Sequence, residues 1–77
     1  MWKQGQIGAL NGTGVYKYWA KVYDEGSELY GINEGRISKL EIRKDGKSLY
    51  NYDRGLDYDK LDADGRAVYE IILQKYN

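Results

Sequence analysis

The stretch Val15 to Asp24, VYKYWAKVYD, limits the fold more than any other part of this chain. It is dense in β-branched and aromatic residues, which favour a pleated, half-buried surface. Side chains alternate across a strand. Tyr16, Tyr18, Ala20 and Val22 therefore share one face, and Val15, Lys17, Trp19, Lys21 and Tyr23 share the other. The first set reads as a core face. The second mixes cations with aromatics, as the wet face of an antiparallel sheet does. A half-wet strand needs hydrogen-bonded neighbours and a second layer to cover its apolar side.

Three further strands are predicted. Lys3 to Leu10 is a weak one, with Gly5 and Gly8 inside it. Asn11 to Gly14 is a turn. Arg36 to Arg43 and Lys47 to Asp53 form a hairpin about Lys44-Asp45-Gly46, read as a type I turn closed by a glycine bulge. That register pairs Arg43 with Lys47, Leu40 with Tyr50 and Ser38 with Tyr52. It gathers Ser38, Leu40, Ile42, Tyr50 and Tyr52 on the core face. A two-residue Asp45-Gly46 turn is the alternative, and it sends Leu49 inward. Residues 25–35 read as an ordered loop, because Leu29, Tyr30 and Ile32 can pack back on the sheet.

The helix is expected from Asp62 or Asp64 to Tyr76, with an Asp as its N-cap. Val68, Ile71, Ile72 and Lys75 follow helical spacing, and so do Tyr69, Leu73 and Tyr76. Together they cover more of the circumference than a helix lying on a sheet needs. Either loops cover the second flank or it is a subunit or partner interface. The expected fold is α+β: an antiparallel β-meander of about four strands with one C-terminal α-helix packed on one face. An SH3-like curled sheet with an appended helix is the runner-up. The 77 residues fit one small globular domain, 1–77.

Composition removes much chemistry. There is no Cys and no His. Cysteine nucleophiles, Ser-His-Asp triads, histidine acid/base groups and Cys/His zinc sites are excluded. With nine Tyr and no Phe, tyrosine must supply most of the bulky aromatic core. Each buried hydroxyl then needs a partner or a path to water. Neither a signal peptide nor a membrane span is legible, so the expected location is the cytoplasm. Lys plus Arg equals Asp plus Glu at 12 each, which argues against broad electrostatic binding to nucleic acid. The charges are nonetheless uneven. Residues 36–47 are locally basic and residues 53–64 locally acidic.

The acidic run contains DADG, the core of an EF-hand loop. That frame puts Lys60 at the first ligand position and Ile71 at the twelfth, where oxygen ligands are required. Helix capping and solubility explain the run more simply, although a looser cation site is an alternative. NGTG and GINEG fit no phosphate loop. The sequence suggests no metal or other cofactor.

The aromatic and cationic set remains. Lys17, Trp19, Lys21 and Tyr23 share a strand face, and Arg36, Lys39 and Arg43 lie on the third strand nearby. Such a face can anchor a protein partner, because Trp, Tyr and Arg are favoured in binding hot spots. It can also stack single-stranded bases. The plainer reading has Trp19 covering hydrophobic surface beneath a loop. Tyr69 and Leu73 on the second helix flank complete the candidate binding surface. That flank is also where a homodimer could form.

Three blocks resemble a known family: YWAKVYDEGSE from Tyr18 to Glu28, GINEGRISKLEIRKDGK from Gly31 to Lys47, and NYDRGLD from Asn51 to Asp57. They are similar to a family of short uncharacterised proteins of Firmicutes bacteria and their phages and mobile elements, classed as a domain of unknown function. The resemblance implies a free-standing one-domain protein, with prophage among its sources, and carries over no catalytic residue. It also invites a structural role for Asp53 and Arg54, tying strand four to the loop after Asp24. The expected function is a small non-enzymatic protein that binds another protein, as an accessory factor of bacterial or mobile-element origin. A nucleic-acid binder using Lys17, Trp19, Lys21, Lys39 and Arg43 is one alternative. A small-ligand-binding protein or enzyme built around Asp24, Glu25 and the glycine loop is the other.

Overall fold

A computed structural model describes residues 1–9, 12 and 14–77. Five strands and one helix follow in order: β1 (Trp2–Gly8), β2 (Val15–Val22), β3 (Ile37–Lys44), β4 (Lys47–Asp53), β5 (Leu56–Asp59) and α1 (Ala63–Tyr76). The strands form one antiparallel meander in the order β1-β2-β3-β4-β5. The helix packs across β2 and β3 on one face. The fold is α+β, with five strands rather than about four. The expected Asn11 to Gly14 turn, and Leu10 at the end of the first expected strand, fall partly outside the described residues.

The core is the expected face of the central strands. Tyr16, Tyr18, Ala20 and Val22 of β2 are buried, with Ile37, Leu40 and Ile42 of β3 and Tyr50 of β4. The helix adds Val68 and Ile72, one turn apart, and the loop before β3 adds Ile32. The tyrosine hydroxyls reach the rim of this core and find partners there. Tyr16 bonds Asp62 at 2.6 Å, and the Tyr18 and Tyr76 hydroxyls lie 2.9 Å apart. Gly5 makes room for Tyr18, because a Cβ there would sit 2.7 Å from the Tyr18 hydroxyl. The glycine that weakens β1 as a sequence signal is the one that lets a core tyrosine extend beneath it.

The β3–β4 hairpin corrects the expected register. Lys44 pairs with Lys47, so the turn is the two-residue Asp45-Gly46 type, with φ of 52° and 79°. Positive φ at both central residues matches the right-handed twist of the flanking strands. Leu49 is then the extra residue of a bulge, and Ile42 pairs with Tyr50, Leu40 with Tyr52. Beyond the bulge the expected pairs are displaced by two residues, which leaves Leu40, Ile42, Tyr50 and Tyr52 on their expected face; before it Arg43 meets Ser48, one residue past the expected Lys47. Leu40, Ile42 and Tyr50 are therefore buried as anticipated, and Leu49 packs half-buried beside them.

The fifth strand lies in the supposed Asp-rich connection. Asp is a poor strand former, so LDYD carries little β signal. Pairing with β4 supplies what the sequence lacks. Asn51 faces Tyr58, whose hydroxyl donates to Ser48 Oγ at 2.6 Å, and Lys60 N–H donates to the Leu49 carbonyl at 2.6 Å.

Asp62 is the N-cap of α1 and accepts from Gly65 N–H at 2.7 Å. At the other end, Asn77 holds the 25–35 loop. Its amide accepts from Ile37 N–H at 2.9 Å and donates to the Ile32 carbonyl at 3.0 Å. The loop is ordered as expected, with a 3-10 turn at Ile32–Glu34.

Candidate functional site

The face of the sheet away from the helix carries the outward residues of every strand. Register places them in cross-strand rows. Gln4, Trp19, Glu41, Asn51 and Tyr58 form the central row. Gln6, Lys17, Arg43 and Ser48 lie on one side of it, and Trp2, Lys21, Lys39 and Asp53 on the other. Strand pairing thus brings together Lys17, Trp19, Lys21, Lys39 and Arg43 from the sequence-derived set. Trp19 is half-buried at the centre. It borders a depression of about 480 Å³ shared with Trp2, Arg43 and Asn51. A second depression of about 600 Å³ runs from Trp19 to Lys17, Arg43 and the Asp45-Gly46 turn.

The charges on this face differ in availability. Lys39 is 3.7 Å from Asp53, which also takes Arg54 at 3.3 Å. Asp53 therefore pairs with Arg54 and with Lys39 of β3, and Arg54 borders the loop after Asp24 beside Glu25 and Ser27. Lys21 Nζ lies between two rings, 5.9 Å from that of Trp2 and 5.5 Å from that of Tyr23. Glu41 faces Trp19. Lys17 and Arg43 are opposite one another, so two like charges share one end of the face. Arg43 donates through Nη2 to the Gly46 carbonyl at 3.0 Å. Its Nε is buried and has no hydrogen-bond partner among the described residues. A buried donor without an acceptor costs free energy.

The other candidates lie elsewhere. Arg36 precedes β3, where its carbonyl accepts from Tyr23 N–H at 3.0 Å. Its side chain borders a separate depression with Tyr23, Lys75 and Tyr76. Expected on the third strand, Arg36 stands apart because Ser38 is the extra residue of a bulge, and β3 begins only at Ile37. Tyr69 and Leu73 are on the opposite side of the sheet. Both are half-buried against the core, and the Tyr69 ring lies 5.1 Å from that of Tyr50. The second helix flank packs half-buried against the domain's own sheet, and the large exposed apolar residue of the helix, among those described, is Ile71 on the other stripe.

Two contributors were not among the sequence candidates. Trp2 is 58% exposed beside Lys21, and Tyr58 extends the central row from β5. The alternation of Trp2, Gln4 and Gln6 signals the first, given that β1 pairs with β2. The second needed β5 to be recognised.

The acidic residues of 53–64 are engaged one by one. Asp57 accepts from Asn51 at 3.0 Å, Asp59 binds Arg66 and Leu61 N–H, and Asp62 caps the helix. Among the described residues no three acidic side chains gather to hold a metal ion. Glu25 and Ser27 border a small depression of about 270 Å³ with Lys39 and Arg54. Among the described residues no helix is long and apolar enough to cross a membrane.

A family model described as Domain of unknown function (DUF7678) matches residues 1–77. The chain belongs to that family. No curated protein and no solved structure matches the chain. The DUF7678 description names neither ligand nor reaction, so the reading of the open face rests on its geometry.

Proposed function

We propose that this DUF7678 chain is a small non-enzymatic binding protein whose open sheet face docks an acidic segment of another protein. The observation that carries the reading is Trp19 at the centre of that face, beside the Arg43 guanidinium, whose Nη2 bonds the Gly46 carbonyl at the exposed end of the face. A half-buried indole gives apolar contact area, and the guanidinium gives a directional site for a carboxylate. The helix covers the other face, so the domain's own fold does not use this one. The protein acts in the cytoplasm as an accessory factor of a bacterium, phage or mobile element.

The nucleic-acid alternative has one observation in its favour: Lys17 and Arg43 adjoin Trp19. Against it stand the Lys39–Asp53 pair and Glu41 in the same rows. Phosphate binding draws on many uncompensated cations, and this face holds few.

The test compares tagged wild type with Trp19→Ala and Arg43→Ala. Each is used for capture from a bacterial lysate with and without nuclease, with circular dichroism checking the fold. A stoichiometric protein that survives nuclease and is lost by both folded variants supports the reading. A partner retained by both variants places the surface elsewhere. Capture that disappears with nuclease, and weakens steeply with salt, transfers the function to nucleic acid.

A further inference from the structure

The two edges of the sheet are built differently. β5 is a four-residue strand carrying Asp57 and Asp59, next to a register shift in its pairing with β4. Short, charged, irregular edges resist pairing with another chain. β1 has seven residues in unbroken register with β2, and Lys3 is its one charge.

Its hydrogen bonds show which groups face outward. Met1 and Val22 exchange two backbone bonds of 2.8 Å, and Ala9 N–H donates to the Gly14 carbonyl at 3.1 Å. Bonded and non-bonded pairs alternate along an antiparallel ladder. The odd residues of β1 therefore bond to β2. Trp2, Gln4, Gln6 and Gly8 direct their N–H and C=O groups away from the sheet, with no backbone partner among the described residues.

The sequence WKQGQIG is close to self-complementary about Gly5. Set antiparallel to a second copy with the twofold axis at Gly5, the strand overlaps itself over its full length. Trp2 then faces the partner's Gly8, where the indole has room and covers the glycine. Gln4 faces the partner's Gln6, amide to amide. Lys3 faces the partner's Ile7, over which its aliphatic stem can lie. No like charges meet. Axes at Gln4 or Gln6 leave Gly8 or Trp2 unpaired, and an axis at Lys3 opposes two lysines.

We infer that the protein forms a homodimer through antiparallel β1–β1 pairing centred on Gly5, making one continuous ten-stranded sheet. Residues opposite one another across a ladder share a face. Both helices therefore fall on one side, and the two open faces join on the other. The inference is independent of what docks on that face. It also places self-association at β1 rather than on the Tyr69 and Leu73 flank of the helix.

Sedimentation equilibrium of the full chain over a wide concentration range tests it. Wild type should show a concentration-dependent monomer–dimer equilibrium. Gln4→Lys with Gln6→Lys puts like charges opposite one another across the seam and should weaken the dimer by about tenfold. Gln4→Lys with Gln6→Glu puts Lys opposite Glu in this register alone, and should restore the dimer at low salt. Should the lysines perturb the monomer by circular dichroism, Gln4→Pro removes an outward N–H without taking a bond from β2, and should also weaken association. Wild type that stays monomeric overturns the proposal. So does a dilysine variant that dimerises like wild type, or a Lys/Glu variant that stays as weak as the dilysine one.

Discussion

The Tyr16 hydroxyl donates to Asp62 Oδ1 at 2.6 Å, and that same oxygen accepts from Gly65 N–H at 2.7 Å. One carboxylate oxygen thus caps the helix and satisfies a tyrosine of the central strand. The helix start and the sheet are locked at a single atom. Tyr16→Phe keeps the buried ring and loses the bond to a charged acceptor, at about 1.5–3 kcal/mol. Asp62→Ala loses the cap, about 1 kcal/mol, and leaves the Tyr16 hydroxyl without its partner, about 1–3 kcal/mol more. The double variant should be less destabilised than the two single losses combined. Urea unfolding of the four proteins gives the coupling; simple additivity would mean that the bond contributes nothing.

Acid should weaken this lock. The Tyr16 hydroxyl, then Gly65 N–H, hold the Asp62 carboxyl below its ordinary 3.8. Burial works against ionisation of Asp59, but hydrogen bonds from Arg66 and Leu61 N–H outweigh it and lower that carboxyl too. A depressed carboxylate pKa stabilises the fold above the unfolded value, and the gain is lost as pH falls through the folded value. Stability should hold steady from neutral pH to roughly pH 5 and fall below about pH 4. Asp62→Asn retains a capping acceptor without the titration. Its thermal midpoint should be less sensitive to acid than wild type's, and an equal acid slope would assign the loss to other carboxylates.

Much of the fold is legible because β2 reports its own two faces. The alternation from Val15 onward identifies the buried tyrosines, and helical spacing with Asp62 locates α1 to within a residue. The β3–β4 register is not legible in the same way. The expected and observed pairings differ by two residues, so both bury Leu40, Ile42 and Tyr50. Hydrophobic pattern cannot separate registers that share a face, and the Leu49 bulge decides between them. β5 is hidden for another reason: LDYD forms a strand through its bonds to β4, which no local propensity records.

The candidate site is legible where it lies on one strand and obscure where it crosses several. Lys17, Trp19 and Lys21 follow from period two alone. Arg43 and Lys39 join them once β3 pairs with β2. Arg36 separates because Ser38 bulges, a feature with no sequence marker. The broad apolar stripe of the helix implied a flank covered by loops or by a subunit or partner. That inference missed how far Tyr50 and Tyr18 reach outward from the sheet, to the rings of Tyr69 and Tyr76.

Alkali should unfold the protein through the same tyrosines. Burial, then the bond to Asp62, pushes the Tyr16 phenol up to about 12. Burial, then the bond to Tyr76, does the same for Tyr18. For an acid whose folded pKa is raised, the stabilisation is present in full below the unfolded value, 10.0 for Tyr. It is lost as pH rises from there toward the folded value. Phenolate absorbance from Tyr16 and Tyr18 should therefore appear only above the ordinary tyrosine value of 10.0, together with loss of the circular dichroism signal. Buried tyrosines that ionise before the fold is lost would show a looser core than this one.

The loop before β3 offers a test of close packing. A Cβ on Gly31 would run into the Gly35 carbonyl oxygen, and one on Gly55 would meet nothing within 4 Å. Gly31 has an ordinary extended φ of −79°, so steric contact rather than backbone strain excludes a side chain there. The obstructing carbonyl is held by its bond from Ser27 N–H at 3.0 Å, and Asn77 clamps both Ile32 and Ile37. The loop therefore has little room to yield. Gly31→Ala should destabilise the fold by about 1–3 kcal/mol, in the range of an overpacked site, and speed exchange of the Ile37 amide. Gly55→Ala should change stability by less than about 0.5 kcal/mol, as surface changes usually do. Equal stability of the two variants in urea, with the Ile37 amide still protected, would mean that the 25–35 loop is not clamped onto the end of the sheet.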